Sequence, residues 1–453
     1  MALFLESVDG CGKLENDKTV VQARQTFLQS LQKANEQVRA LVHIGPVQSG
    51  STSTDIATNT SLLAGVPLVV KDLIDVAGMP TRMGCAAVNY RPAKHAQVIT
   101  NLLAEGGWIA GKSHTTEFAM SGWGVSPLGR PLNPIDASDQ FYTGGSSNGS
   151  ASAVAAGLVP VALGTDTGGS VRIPASWCGL TGLKGSPGWV STDGVAALSQ
   201  RFDVVGPMGR TAADVSRVYR SMLPAGRRKA FEDSLEQAAQ APLPALFFVD
   251  DRNLPEASPE VLQAYREARE KCETLGFSVQ IIALPFSFAE MAQTWSGISG
   301  AEGYLNNKAL VDDPGAPLDE AVRSSFAHSG QIDLATYFSL LNRGAGFREY
   351  IENLLAGGHL LVVPTTSTPA IRLTEFDATR TLGIYTRFVN LIQGCSIAVP
   401  NGMTDEGRPT SMQFVGAYGA DAAIVNAALY WQRKTDWHEK ILRRHIRQMT
   451  AEQ

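Results

Sequence analysis

The stretch GGSSNGSASAVAAGLVPVALGTDTGGSVRIPASWCGLTGLKGSPGWVS, residues 144–191, decides the fold. From Gly144 to Gly188 it is dense in Gly, Ser, Thr and Ala and almost free of charge. Glycine lets backbone pack on backbone and lets loops take φ > 0. Such a composition suits either a flexible linker or a buried catalytic floor. Val154, Val159, Val161, Leu163, Ile173 and Trp177 choose between the two, because a linker needs no such apolar side chains. Ser150–Gly157 reads as a small-residue helix and Val159–Leu163 as the strand that follows it.

Outward from this floor, helix and strand patterns alternate. Residues 17–42 carry Val20, Val21, Phe27, Leu28, Leu31 and Val38 as a helical stripe. Pro67–Val70 suits a buried strand, Ala96–Glu105 a helix and Trp108–Ala110 the next strand. Leu246–Val249, Val279–Ala283 and Leu360–Val363 are further strand candidates, and Ala420–Gln432 is an amphipathic helix. This alternation predicts an α/β fold with a mostly buried sheet. Residues 255–355 are richer in charge and helical pattern, as in Val261–Leu275 and Phe347–Leu355. They read as a helical layer or a lid inserted into the sheet order. With no long linker and no internal repeat, one compact domain is expected.

Composition excludes several classes of function. The 453 residues hold 38 Lys+Arg against 43 Asp+Glu, a formal charge of −5, with 44% apolar and 18% charged residues. Disorder, coiled coil and collagen do not fit these values, and the acidic balance argues against a nucleic-acid partner. No apolar run approaches the roughly 20 residues of a membrane span. MALFLESVDG lacks a basic start and turns acidic at once, so no secretory signal is expected. Cys11, Cys85, Cys178, Cys272 and Cys395 are odd in number, far apart and without a CxxC pair. That points to a reducing, cytoplasmic setting rather than to disulfides or zinc. The seven histidines form no HExxH or other tight pair, so neither a metal nor a cofactor is expected.

Two motif matches fail on context. Gly106, Gly111, Lys112 and Ser113 fit the phosphate-binding loop, and LFFVDD at 246–251 imitates its magnesium-binding strand. That loop needs a strand before it and a helix after it, so that loop amides and a helix N-terminus meet phosphate. Here a helix precedes, and Trp108 to Ala110 read as strand. Gly145-Ser146-Ser147-Asn148-Gly149 fits the nucleophile elbow around Ser147, but DASDQFYTG before it is polar and turn-like rather than a strand.

What remains is a lysine and two serine clusters framed by glycine. Lys71 directly follows the apolar GVPLVV, and a desolvated lysine becomes a usable base as its pKa falls toward neutrality. The bland alternative is a lysine that merely snorkels from a strand end. The clusters are 144–150, GGSSNGS, and 164–172, GTDTGGSVR. Consecutive backbone N–H groups ahead of Ser170, unobstructed by side chains, can form an anion-binding nest with a serine at its edge.

These segments, with GVPLVVKDLIDVAGMPT, RFDVVGPMGRTAADV, LVVPTTSTPA and SIAVPNGMTDEGRPTSMQFVG, resemble the amidase signature family over about residues 20–440, weakly between 225 and 350. The resemblance implies one amidase domain over 1–453, with a mixed, twisted sheet of about eleven strands and helices on both faces. Residues 225–355 would be a variable helical region near the substrate pocket. It implies a Ser–cis-Ser–Lys triad of Ser170 as nucleophile, Ser146 as bridge on a non-proline cis peptide, and Lys71 as base. The spacings agree, 75 residues from Lys71 to Ser146 and 24 from Ser146 to Ser170. The amides of Thr167, Gly168, Gly169 and Ser170 match the oxyanion hole, and Ser147, Asp166 and Arg172 match polar residues that support the triad. The reaction implied is cleavage of a small carboxamide through a Ser170 acyl-enzyme. Asn148, and GSPGW at 185–189, depart from the family pattern without touching a catalytic atom.

Substrate is less legible. LGIYTRFVNLIQGCSIAVPNG, 382–402, resembles the matching stretch of allophanate hydrolases, which act on a small ureido acid. Tyr385, Arg387 and Asn390 are the substrate-binding candidates there, and Arg387 could clamp a carboxylate or be a solvated helix residue. The extra C-terminal domain that many allophanate hydrolases carry has no counterpart in these residues. The glutaminase subunit of a tRNA-dependent amidotransferase shares the triad and is the other enzymatic reading; a scaffold on a dead amidase fold is the non-enzymatic one. Acyl transfer to an amine instead of water stays open. The family resemblance also implies a homodimer.

Overall fold

The computed structural model describes residues 17–45, 61–136 and 138–450. Cys11, the N-terminal sequence and the side chain of Val20 lie outside what it describes. Eleven strands form one sheet. In chain order they are β1 (Leu41–Ile44), β2 (Pro67–Lys71), β3 (Trp108–Ser113), β4 (Val161–Asp166), β5 (Thr181–Lys184) and β6 (Val204–Gly209). The remainder are β7 (Leu246–Val249), β8 (Val279–Ile282), β9 (Leu360–Pro364), β10 (Cys395–Met403) and β11 (Pro409–Gly416). Their spatial order is β1-β3-β2-β4-β6-β5-β10-β11-β9-β7-β8. Parallel pairs β2·β3, β2·β4, β7·β8 and β7·β9 mix with antiparallel β1·β3, β4·β6, β5·β6, β5·β10, β10·β11 and β9·β11.

Among the described residues thirteen helices cover this sheet. The first six are α1 (Asp17–Val38), α2 (Gln97–Ala104), α3 (Asn148–Ala155), α4 (Arg172–Trp177), α5 (Ala212–Met222) and α6 (Ala225–Gln240). The others are α7 (Pro259–Thr274), α8 (Phe288–Val311), α9 (Glu320–Ser329), α10 (Leu334–Leu354), α11 (Arg387–Leu391), α12 (Asp421–Lys434) and α13 (Trp437–Thr450). Side chains alternate across a strand, and here the alternation separates two cores. Leu68, Val70, Val161 and Leu163 join Ile99 and Leu102 of α2 and Val215 and Val218 of α5 on one face. Val69, Ala162 and Met208 join Ala151 and Val154 of α3 and Ala175 of α4 on the other. The centre of the sheet is therefore buried on both sides, as parallel central strands require.

One expectation changes. The stripe read over 17–42 is two elements: α1 stops at Val38, Arg39 takes φ +54, and β1 begins at Leu41. Asn35 fixes the junction, since its side chain accepts from the Leu41 amide at 2.9 Å and donates to the Leu41 carbonyl at 3.0 Å. The strand candidate Val279–Ala283, within residues 255–355, is β8, which pairs in parallel with β7 at one edge of the sheet. The GxxxxGKS match ends inside β3, where Lys112 is fully buried against Asp72 at 2.9 Å and cannot meet a phosphate.

β2 and β4 are parallel neighbours, with Leu68 opposite Val161 and Val70 opposite Leu163. Their carboxyl ends lie on the same side of the sheet, where open α/β sheets keep their binding crevices. Lys71 closes β2 and Asp166 closes β4.

Candidate active site

Lys71 is fully buried at the end of β2. Its Nζ donates to Ser146 Oγ at 2.6 Å and to Thr165 Oγ1 at 2.8 Å. Burial pushes this lysine down to about 7, against the pull of Asp203 and Asp166 in the other direction. A strand of Pro, Leu and Val delivers the amine to a place without water, and that placement makes it basic yet largely neutral near physiological pH. The Gly145–Ser146 peptide is cis, and Ser146 is fully buried.

Ser170 follows the end of β4 by four residues. Along residues 161–180 it is the one position that is not buried, so the floor opens at this hydroxyl. The Ser147 amide donates to the Ser170 carbonyl at 3.2 Å, which joins the two serine clusters. Ser147 itself is not the nucleophile of an elbow. Its Oγ donates to the Thr165 carbonyl at 3.2 Å and is fully enclosed. Gly164 leaves room for it, since a Cβ there would sit 2.5 Å from Ser147 Oγ.

The loop 167–170 is oriented by its carbonyls. Trp295 Nε1 of α8 donates to the Thr167 carbonyl at 2.9 Å, and Thr386 Oγ1 donates to the Gly168 carbonyl at 2.7 Å. In a planar trans peptide the following N–H points the opposite way. One consequence differs from expectation. The Gly169 amide donates to Asp166 Oδ1 at 2.8 Å, so it is turned inward and is not a free oxyanion donor. The amides of Thr167, Gly168 and Ser170 have no hydrogen-bond partner among the described residues.

Asp166 and Arg172 hold the loop from below. Both side chains are fully buried, with Arg172 Nη2 to Asp166 Oδ1 at 2.9 Å and Arg172 Nε to Asp166 Oδ2 at 3.0 Å. Arg172 also donates to Gln413 at 2.9 Å and to Asn390 at 2.7 Å. Burial alone raises the Asp166 carboxyl. The Arg172 charge and hydrogen bonds, the Lys184 charge and the Asn390 amide outweigh it and hold the group well below the usual carboxylate range.

The three substrate-binding candidates separate. Asn390 is buried, and its amide donates to the Asp166 carboxylate at 3.0 Å and to the Asp166 carbonyl at 3.1 Å. It supports the loop and does not line a pocket. Tyr385 is fully buried against Phe288, with its hydroxyl on Glu256 at 3.2 Å. It is a packed core residue. Arg387 alone of the three is not fully buried, and it lies beside Trp295 and Ser296. Of the two departures, Asn148 donates to the Gly124 carbonyl at 2.7 Å, and Ser186 of the 185–189 loop caps Asp421 at the start of α12.

Sequence reasoning missed Asp203, Thr165 and Trp295. Asp203 accepts from Thr167 Oγ1 at 2.5 Å and from the Leu198 and Ser199 amides at 2.9 and 3.1 Å. Desolvation pushes its carboxyl up to about 6, although Thr167, those amides and the Lys71 charge oppose the rise. It lies in RFDVVGPMGR, which carried a signal, whereas Trp295 lies in a segment that matched no pattern. Among the described residues no group of three His, Cys, Asp or Glu side chains could hold a metal, and no helix is long and apolar enough to cross a membrane.

A family model described as Amidase matches residues 22–425. One component of the glutamyl-tRNA(Gln) amidotransferase of Methanosarcina mazei is 32% identical over 418 residues, 83% of this chain and 86% of its own. Among solved structures, Kluyveromyces lactis allophanate hydrolase aligns with a TM-score of 0.82 at 26% identity, over 95% of this chain and 73% of its own. A bacterial aryl acylamidase reaches a TM-score of 0.84 at 20% identity over 98% and 99%, a likeness of fold. Sheet, serine-framed loop and buried lysine all lie within the matched span, and by that match the chain is a member of the amidase signature family, hydrolases of the carboxamide bond.

Proposed function

We propose that this chain hydrolyses a small carboxamide, with Ser170 as nucleophile, Ser146 as relay and Lys71 as base. Neutral Lys71 takes the Ser146 proton while Ser146 takes that of Ser170. Ser170 Oγ forms the new bond to the amide carbon, and the carbonyl electron pair moves onto oxygen. The amides of Thr167, Gly168 and Ser170, which have no partner among the described residues, are the donors assigned to that charge, and losing one such donor typically costs about 10²–10³ in rate. As the tetrahedral centre collapses the C–N bond breaks, and the relay returns its proton to nitrogen, because an amide anion is a poor leaving group. Water then cleaves the ester and leaves a carboxylic acid and ammonia or an amine.

One observation carries this reading: a fully buried lysine whose pKa burial brings to about 7, 2.6 Å from the hydroxyl of a serine in the glycine-framed cluster. The test is intact mass after exposure to a small fluorophosphonate, with peptide mapping. A single adduct on Ser170, lost or greatly slowed in Lys71→Ala, is expected. No adduct, or one on Ser147, removes the assignment.

A second reading has its own support. The likeness to an amidotransferase component over 86% of that protein's length favours a glutaminase that works beside partner proteins. Glutamine is itself a small carboxamide, so the chemistry is shared. Ammonia release from simple amides by the purified chain alone favours the free hydrolase; release only with a co-purifying partner favours the amidotransferase. The likeness to allophanate hydrolase makes a ureido acid the third substrate to include in that panel.

A further inference from the structure

We propose that Arg387 is the anion-binding residue of the substrate pocket, so that the carboxamide cleaved here carries a carboxylate. This deepens the reading above and rests on Ser170 being the nucleophile.

Arg387 opens α11 and is half-buried. Its Nη1 donates to Ser296 Oγ at 3.0 Å, and its guanidinium carbon lies 4.6 Å from the centroid of the Trp295 ring. Among the described residues it forms no ion pair and no second side-chain hydrogen bond. Arg172, the other arginine of the site, is saturated by Asp166, Asn390 and Gln413. Desolvation pulls Arg387 down to about 10, and no acid group is near enough to oppose it. A guanidinium taken partly out of water without a counter-ion is costly. Its Nε and Nη2 remain as a free planar fork, the shape that reads a carboxylate by two parallel hydrogen bonds.

Position ties this fork to the reaction. A Cβ at Gly383 would lie 2.9 Å from the Gly168 carbonyl and 3.2 Å from both Cγ and Nε of Arg387. The arginine stem thus runs directly past the loop that bears the free amides. Trp295 forms the wall between them, because a Cβ at Gly168 would lie 2.5 Å from its ring. The same indole that orients the Thr167 carbonyl therefore carries the cation on its face. A substrate with its amide carbon over Ser170 would place its far end on Arg387 only if few atoms separate amide and acid. The chemical class is a short ω-amide of a dicarboxylic acid, or a ureido or amino-acid analogue of the same length.

The experiment measures how ligands slow fluorophosphonate labelling of Ser170. Succinamate and its neutral isostere succinamide are the probes, with wild type, Arg387→Gln and Arg387→Lys. Succinamate should protect wild type at a concentration about 10- to 150-fold lower than succinamide, the range set by a hydrogen bond to a charged group. In Arg387→Gln the two should become equal while unprotected labelling continues, which also shows that the variant folds. Arg387→Lys, which keeps the charge and loses the fork, should fall between. Equal protection in wild type overturns the inference, as does a preference for succinamate that survives in Arg387→Gln. Absence of label on wild-type Ser170 strikes the underlying reading instead, so the two failures are distinct.

Discussion

Activation of Ser170 should follow the neutral form of Lys71, and the structure sets where that form appears. Burial brings Lys71 to about 7, with Asp203 and Asp166 pulling it upward. With a single base at that value, the labelling rate at pH 6 should be about a tenth of its plateau and at pH 5 about a hundredth. Asp203 modifies this limb because it titrates near 6. As it gains a proton it stops favouring the ammonium, so Lys71 loses neutrality more slowly and the limb flattens between pH 6 and 5. Asp203→Asn removes that charge at every pH, and the limb should move to lower pH. The sign is fixed: removing an anion disfavours the protonated lysine. Lys71→Arg, which stays charged, should label only at background. The assay is the second-order rate of fluorophosphonate labelling between pH 5 and 8.5, which needs no knowledge of the natural substrate. A rate constant within twofold between pH 5 and 8, or an Asp203→Asn limb displaced upward, would refute a lysine base governed by these two charges.

Arg172→Met leaves the fully buried Asp166 without its counter-charge and should lower stability by about 3–5 kcal/mol, read as the denaturant midpoint. Adding Asp166→Asn should recover part of that loss, and a single variant as stable as wild type would contradict the network. His114 is held down to about 4 by burial and by the Arg39 charge, so the fold requires it neutral. Its contribution is complete above the unfolded value near 6.5 and fades as pH falls toward 4, with about 2 kcal/mol lost at pH 5. His114→Gln should therefore lose less stability than wild type between pH 7.5 and 5, and an equal loss in both would count against it. Gly168→Ala places a methyl 2.5 Å from the Trp295 ring and must displace that side chain. Labelling of Ser170 should slow about 10-fold or more as the loop amides turn. Trp295→Phe in the same chain should relieve the clash and recover part of the rate.

Site candidates and strands are legible in the sequence through different signals. Lys71 was legible because an apolar run ends on a charge, and Ser146 and Ser170 because glycines surround them. β2, β3 and β4 were legible as short apolar runs. β6 was not, since Gly206, Pro207 and Gly209 interrupt VVGPMG and mimic a loop. β10 hides behind Pro400, where its register with β11 shifts. Both strands tolerate these residues because tertiary pairing on each side outweighs local preference. Tyr385, Arg387 and Asn390 are pocket candidates because they lie in the stretch that resembles allophanate hydrolases. Three residues along a helix bring Arg387 and Asn390 to within about 60° of each other around α11, so tertiary contacts and not helix phase divide them, Asn390 on Asp166 and Arg387 beside Trp295 and Ser296. Asp203 and Trp295 matter through contacts 36 and 128 residues away, which no local pattern records.

The ties beneath the 167–170 loop have a consequence for how the protein comes into being. Lys71, Ser146 and Ser170 all leave the ribosome within the first 170 residues, yet Arg172 finds Asn390 218 residues later and Gln413 241 residues later. Thr386, which turns the Gly168 carbonyl, is equally late. A nascent chain or a prematurely stopped product therefore holds the three reactive groups without the parts that aim them. On the proposed mechanism, a chain released by early stalling should therefore carry a serine that is not activated.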